Sequence, residues 1–329
     1  MEPTSAPRAR IKVYSHLAAA RRMPTSYEIG TSRLRYASSD AHRVRTPVDE
    51  WLGRHQRGSR LTSDAWEEIR DPRDTTYASY VARRSKKEAF IDEVLASIEA
   101  LARDEALGPA ALQLWSEAVA PMRFLWHGFQ MCAAYLGQLA PAGRLTVLFA
   151  FQMADEVHRI QRIAYRLAQI RRAHVGFVAD GRACWQEHPA WQPMRRLLED
   201  LLVTWDWGEA FVALNLCVKP MLDDLAMREL AGAMSNRGDF LLRELLLSLA
   251  DDCAWQREWS AAVVTSLLRD RQSNRDAIEG WLGEWSPRCV EAVDALAALI
   301  SEAPAALGAR VAERHRAELG HLSLRVGHQ

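Results

Sequence analysis

The chain has 329 residues with 49% hydrophobic content and no formal net charge, which is enough for a large packed core. The even charge balance gives no reason to expect bulk attraction to nucleic acid or to a membrane. The five cysteines (Cys132, Cys184, Cys217, Cys253 and Cys289) are widely spaced with no Cys-x-x-Cys pair, so neither a zinc or iron–sulfur site nor a disulfide framework is indicated. No apolar run reaches the roughly 18 residues of a membrane span, the N-terminus has no apolar signal region, and a cytoplasmic protein is expected.

Residues 1–75 differ from the rest. They carry Pro3, Pro7, Pro24, Pro47 and Pro72, and over residues 1–60 twelve Lys and Arg face five Asp and Glu. Such a stretch does not bury itself. Interspersed Tyr14, Leu17, Tyr27, Leu34, Tyr36, Trp51 and Trp66 favour an extended basic arm docked on partner subunits or on the bundle over a free tail.

From residue 76 the pattern becomes helical, with Ala, Leu, Glu and Arg at 3–4 spacing. Helices are predicted at 76–104, 109–138, 144–173, 191–203, 205–232, 238–269, 273–299 and 303–318. Pro141-Ala-Gly143 and Asn236-Arg-Gly238 mark turns, Gly176 to Pro189 reads as a loop, and Ser273-Asn274 can cap the next helix. Pro121 and Pro220 fall inside helical patterns and should kink them. No internal repeat is present. The expected fold is all-α: a ferritin-like helical bundle with additional helices over 76–329, preceded by the arm.

One helix carries half of a metal site. Asp155 and His158, in Ala-Asp-Glu-Val-His, place a carboxylate and an imidazole three residues apart on one helix face. A carboxylate-bridged di-iron centre needs that pair on two helices of a four-helix bundle, and a lone carboxylate on each of the other two. About a hundred residues later the matching stretch reads Asp252-Cys253-Ala254-Trp255, with tryptophan where the second histidine belongs. Of the ten histidines, only His158 and His321 follow a carboxylate by three residues, and Glu318/His321 sits at an expected frayed end. Glu209 and Glu244 are lone carboxylates in other helices. The stretch Phe124 to Gln130 offers His127 and Gln130 but no carboxylate, and Glu117 is two or more turns away. One bridging ligand and one imidazole are missing, so Asp155/His158 reads first as an interhelical polar network and no metal ligand is assigned.

No catalytic or cofactor-binding motif is found: no Gly-x-Ser-x-Gly, P-loop, dinucleotide fingerprint or His-Glu-x-x-His. His127 reads as a hydrogen-bonded core or interface histidine. Trp115, Trp126, Trp185, Trp191, Trp205, Trp207, Trp255 and Trp259 read as core and interface anchors. Arg83-Arg84 with Lys86-Lys87 reads as a solvated helix face.

The ordered set of segments from Tyr14 to about Trp285 resembles the β subunit of the hydroxylase in bacterial multicomponent di-iron monooxygenases, in the toluene/alkene branch. The resemblance rests on Tyr14-Ser-His-Leu-Ala, Arg22-Met-Pro-Thr-Ser-Tyr27, Gln56-Arg-Gly-Ser59, Arg70-Asp-Pro-Arg-Asp-Thr-Thr-Tyr77 and His127-Gly-Phe-Gln-Met131. It continues through Asp155-Glu156, Gln161-Arg-Ile-Ala-Tyr165, His188-Pro-Ala-Trp-Gln192, Trp205-Asp-Trp-Gly-Glu-Ala-Phe211 and Asn274-Arg275. The last forty residues match least. The resemblance implies a non-catalytic subunit that braces a di-iron α subunit and forms the central dimer contact. It implies an (αβγ)2 hydroxylase served by an NADH-dependent flavin reductase, a Rieske-type ferredoxin and an effector protein, acting on aromatic hydrocarbons or alkenes. It carries over no catalytic, cofactor-binding or metal residue. A self-sufficient di-iron protein using Asp155, His158, Glu209 and Asp252, and a helical scaffold unrelated to oxygenases, are the alternatives.

Overall fold

A computed structural model describes residues 23–32, 34, 46–99 and 104–325. Tyr14, Leu17 and Tyr36 of the expected arm lie outside the described residues, as does the last part of the predicted helix 76–104. The described residues contain helices and turns and no strand.

The bundle is built on four long antiparallel runs. The first is α4 (Pro109–Leu114), a π-helical turn at Trp115–Val119, and α5 (Met122–Leu139). The second is α6 (Gly143–Ala173), which doubles back along α5 after Pro141. The third is α9 (Trp207–Phe211), α10 (Lys219–Asp224) and α11 (Ala231–Asn236), joined end to end by π turns at Val212–Val218 and Leu225–Leu230. The fourth is α12 (Phe240–Asp270), entered through Gly238 at φ +86, a left-handed value that glycine adopts without strain. Between the second and third runs lie α7 (Gly181–Glu187) and α8 (Gln192–Leu202). On one side α3 (Tyr77–Glu99) covers α12; on the other α13 (Gln272–Ile300) and α14 (Pro304–His321) close over the third run.

The two prolines act through the wide turns rather than as simple kinks. Pro121 follows the π turn Trp115–Val119, and Pro220 follows Val212–Val218. A π turn leaves carbonyls available to other donors. Glu117 O accepts from Trp191 Nε1 at 2.7 Å, and Leu216 O accepts from His315 Nε2 at 2.5 Å. The second contact fixes α14 onto the bundle, so Glu318 and His321 belong to a packed helix and not to a frayed end.

Two other expectations need correction. The predicted loop 176–189 contains α7, because Asp180 caps it by accepting from the Arg182 and Ala183 amides. Asn274 lies inside α13 rather than capping it. Its side chain holds both backbone groups of Thr62 and the Leu267 carbonyl, at 2.9–3.0 Å, and so pins the N-terminal segment to the bundle.

The described part of residues 1–75 forms two short helices, α1 (Ser26–Thr31) and α2 (Pro47–His55). Each starts at a threonine whose capping box is completed three residues on, by Glu28 and by Asp49. This segment lies on its own bundle. Asp71 N donates to Tyr27 Oη (2.9 Å), Trp255 Nε1 donates to Asp71 (3.0 Å), and Arg73 forks onto Glu258 (2.7 Å).

Candidate functional site: a charge-filled bundle centre

The inward stripe of α6 explains the site. Leu145, Leu148, Phe149, Gln152, Asp155, Glu156, Arg159, Ile163 and Arg166 are all buried and recur at helical spacing. A row that begins apolar turns polar at mid-bundle. Burial of these groups is tolerable only with full pairing.

The outer layer joins α3, α6 and α12. Asp155 accepts from Tyr80 Oη at 2.8 Å and from Gln256 Nε2 at 2.9 Å, with Arg84 Nη1 at 3.7 Å. Asp252 takes Arg84 at 2.5 Å and Lys87 at 3.0 Å. The expectation of a solvated face for the 83–87 cluster therefore fails for Arg84 and Lys87, which are drawn inward by two buried carboxylates. Arg83 lies over the Trp255 ring at 4.5 Å. Trp255 thus stacks and holds Asp71 where the half-motif called for an imidazole.

The inner layer joins α6 and α10. Glu156 takes Arg159 at 2.8 Å and Lys219 at 2.8 Å. Asp223 takes Lys219 at 2.9 Å and Arg159 at 3.5 Å. Arg159 also donates to Cys253 Sγ at 3.1 Å. Burial pushes that thiol up to about 12, so it stays an uncharged acceptor.

Asp155, Glu156, Asp223 and Asp252 are thus matched by Arg84, Lys87, Arg159 and Lys219. The electrostatics follow the pairing. Burial first, and then the neighbouring Asp252, push the Asp155 carboxyl up. Asp252 and Asp223 are also desolvated, but Arg84 with Lys87 and Lys219 with Arg159 hold them below the usual carboxylate range.

His158 does not join Asp155. Its Nε2 meets Glu88 of α3 at 2.9 Å, and Glu88 in turn takes Arg162 at 2.7 Å. Burial, Arg84 and Arg162 push the imidazole down to about 3, so it is neutral and donates to Glu88. A histidine depressed in the folded state contributes stability above its ordinary value of 6.5 that is lost as pH falls toward 3. His158→Gln is expected to flatten the stability profile between pH 6.5 and 5 by up to about 2 kcal/mol, read from urea midpoints at each pH. An unchanged slope would show that His158 titrates as it does in the unfolded chain.

The other candidates lie elsewhere. Glu209 accepts from Trp285 Nε1 at 3.2 Å and sits six residues before Asn215, roughly 9 Å along the helix from the Gln152–Asn215 level. Glu244 pairs with its neighbour Arg243. Glu117 accepts from Gln113. His127 is exposed on α5, which rules out the core half of its reading as a core or interface histidine. Sequence reasoning missed Glu156, Arg159, Lys219 and Asp223. The available signal was charge in an apolar run: Lys219 interrupts the stretch Val212 to Leu222 and Asp223, four residues on, ends it.

This donor set does not fit a di-iron centre. Protein cations stand against the carboxylate oxygens, His158 is turned to Glu88, and among the described residues no group of three or more His, Cys, Asp or Glu is arranged to hold a metal.

Residues 49–271 match the methane/phenol/alkene hydroxylase family. The chain belongs to that family. The β subunit of the toluene-4-monooxygenase hydroxylase component of Ectopseudomonas mendocina is 29% identical over 88% of this chain and 91% of that protein. An oxygenase component of the phenol 2-monooxygenase of Pseudomonas sp. (strain CF600) is 26% identical over 70% of each chain. The solved structure of toluene 4-monooxygenase with toluene bound in its resting active site superposes with a TM-score of 0.81 at 28% identity, over 92% of this chain and all of that one. Xenon-pressurized phenol hydroxylase from Pseudomonas sp. OX1 has the same fold, with a TM-score of 0.83 at 20% identity over 99% of each chain. In this hydroxylase-family chain, the ferritin-like bundle is retained around a centre filled by its own charged side chains.

Proposed function

We propose that this chain is the non-catalytic β-type subunit of a multicomponent di-iron hydrocarbon monooxygenase, bracing an iron-bearing α-type subunit and forming the central dimer contact. The observation that carries this reading is the bundle centre, where Arg84, Lys87, Arg159 and Lys219 neutralise the carboxylates that would otherwise meet metal. The similarity to a toluene-4-monooxygenase β subunit along most of both chains supports it. The iron, the oxygen activation and the hydrocarbon pocket then belong to the partner. An α- and γ-containing (αβγ)2 hydroxylase, an effector protein, a Rieske-type ferredoxin and a flavin reductase complete the system. A cytoplasmic location belongs to the same reading; no helix among the described residues is long and apolar enough to cross a membrane.

The basic N-terminal segment is proposed to extend from the bundle onto partner subunits. Its exposed aromatic seat supports this. Trp51 and Trp205, both more than a third exposed, meet edge-on at 5.5 Å beside Tyr135, with exposed Val48 and Val203 flanking them in sequence. Apolar groups grouped this way on a surface fit a subunit contact. Trp126 is buried in the chain's own core instead. Trp205→Ala is therefore expected to leave the urea midpoint of the chain within about 0.5 kcal/mol while lowering recovery of the assembled hydroxylase. Unchanged assembly would remove this face from the contact.

The deciding experiment is metal content and mass of the chain, alone and co-expressed with its genomic neighbours. The proposal expects no iron alone and recovery in an iron-containing complex near twice the mass of α plus β plus γ. About two irons per isolated chain would overturn it. Asp155→Asn and His158→Gln are expected to leave iron per assembled complex unchanged.

A further inference from the structure

A cavity of about 370 Å³ opens between α10, α12, α14 and the π turn Val212–Val218. Its size falls in the range of small-molecule sites. The wall is largely apolar, formed by Leu216, Pro220, Ala254, Ala261, Leu319 and Leu322.

The buried polar groups at this wall are already engaged, with one exception. Asn215 exchanges hydrogen bonds with Gln152 and donates to Ser260, whose own hydroxyl donates to the Gln256 carbonyl. At the rim Arg257 faces Glu318 at 3.6 Å, and Glu258 is held by Arg73. The exception is His315, 4% exposed and part of the wall. Its Nε2 meets the Leu216 carbonyl, which can only accept, so Nε2 carries the proton and Nδ1 is a bare acceptor. Burial holds the ring neutral. No group among the described residues donates to Nδ1.

We propose that this cavity binds a small neutral molecule with an apolar body and one hydroxyl donor, an alcohol or a phenol, its O–H donating to His315 Nδ1. A hydrocarbon would leave that acceptor unpaired, and an ether or an ionised carboxylate would set a second acceptor against it. The site does not depend on the subunit role proposed above, since its walls are all this chain's.

Equilibrium dialysis of the full-length chain, in the assembly with which it purifies, tests the site with phenol, anisole and toluene. One saturable phenol per copy of the chain should vanish in Ala261→Trp, which fills the cavity from α12. At that same site toluene and anisole should bind roughly tenfold more weakly. Phenol stoichiometry untouched by Ala261→Trp, or toluene held as tightly as phenol there, would overturn the proposal. Crystals of the unsubstituted protein grown with phenol decide independently of any variant. A ring in the cavity with its oxygen at hydrogen-bond distance from Nδ1 supports the site; water alone in the cavity refutes it.

Discussion

Lys219→Met is expected to lower the stability of the chain by about 3–5 kcal/mol. Lys219 is buried and holds Glu156 at 2.8 Å and Asp223 at 2.9 Å. Methionine fits the apolar stem but leaves two carboxylates to Arg159 alone, an uncompensated charge with no water to solvate it. The penalty comes from the stranded charge and not from loss of an intrinsically strong bond. Lys219→Met with Asp223→Leu should therefore recover most of the loss, because the remaining Glu156–Arg159 pair is balanced. Urea unfolding of the single and double variants reads both effects. A single variant within about 1 kcal/mol of the parent would mean that water or a solute ion reaches the inner layer.

Across pH the buried carboxylates act in opposite senses. Asp223 and Asp252 are held below the usual carboxylate range, so their stabilisation is present above the ordinary carboxylate value and is lost as pH falls through their folded values. Asp155 is raised, so its ionisation opposes folding at neutral pH and its contribution has the opposite slope. The centre is an arrangement in which one carboxylate is held charged at the expense of its neighbour, with Arg84 shared between them.

Much of the bundle was legible because helix signals are local. The 3–4 spacing, the break at Pro141 and the turn before Gly238 placed the long helices within a few residues of their observed ends. The family resemblance was also legible, since it rests on ordered segments. At the bundle centre the sequence shows Trp255 where the half-motif calls for an imidazole, but not which charged side chains meet there. Lys87 and Asp252 are 165 residues apart and meet only when α3 lies across α12. The charges of 83–87 look alike in sequence, whereas depth separates them in the fold. The π turns were invisible for a related reason. They are set by packing over several turns, and proline at 121 and 220 signals a disturbance without telling a kink from a widened turn. Within the N-terminal segment, α1 and α2 are too short to show periodicity, although the Thr25/Glu28 and Thr46/Asp49 capping boxes are present in the sequence.

Trp207→Ala should be the most damaging single aromatic truncation, at about 3–5 kcal/mol. Trp207 is almost fully buried, stacks on Phe211 at 5.5 Å and meets Phe149 edge-on at 6.4 Å. Its Nε1 donates to the Leu136 carbonyl at 3.1 Å, so one ring ties the ends of α5, α6 and α9 together. The same ring receives Trp66 edge-on at 5.5 Å and thereby seats the N-terminal segment. The adjacent Gly208 admits that segment: a side chain there would bring its Cβ within 2.5 Å of Ser59 Oγ, which accepts from the Gly208 amide. Truncation therefore removes core packing and undermines the seat of residues 56–75 at once. Trypsin should cut faster at Arg57 and Arg60 in Trp207→Ala under conditions where the bundle stays folded, whereas Trp205→Ala, at the exposed rim, should leave the cleavage rate unchanged. Equal protection in Trp207→Ala and the parent would mean that Asn274 and Arg73 anchor the segment without the aromatic seat. Faster cleavage in both variants would instead place the anchor at the Trp51–Trp205 contact.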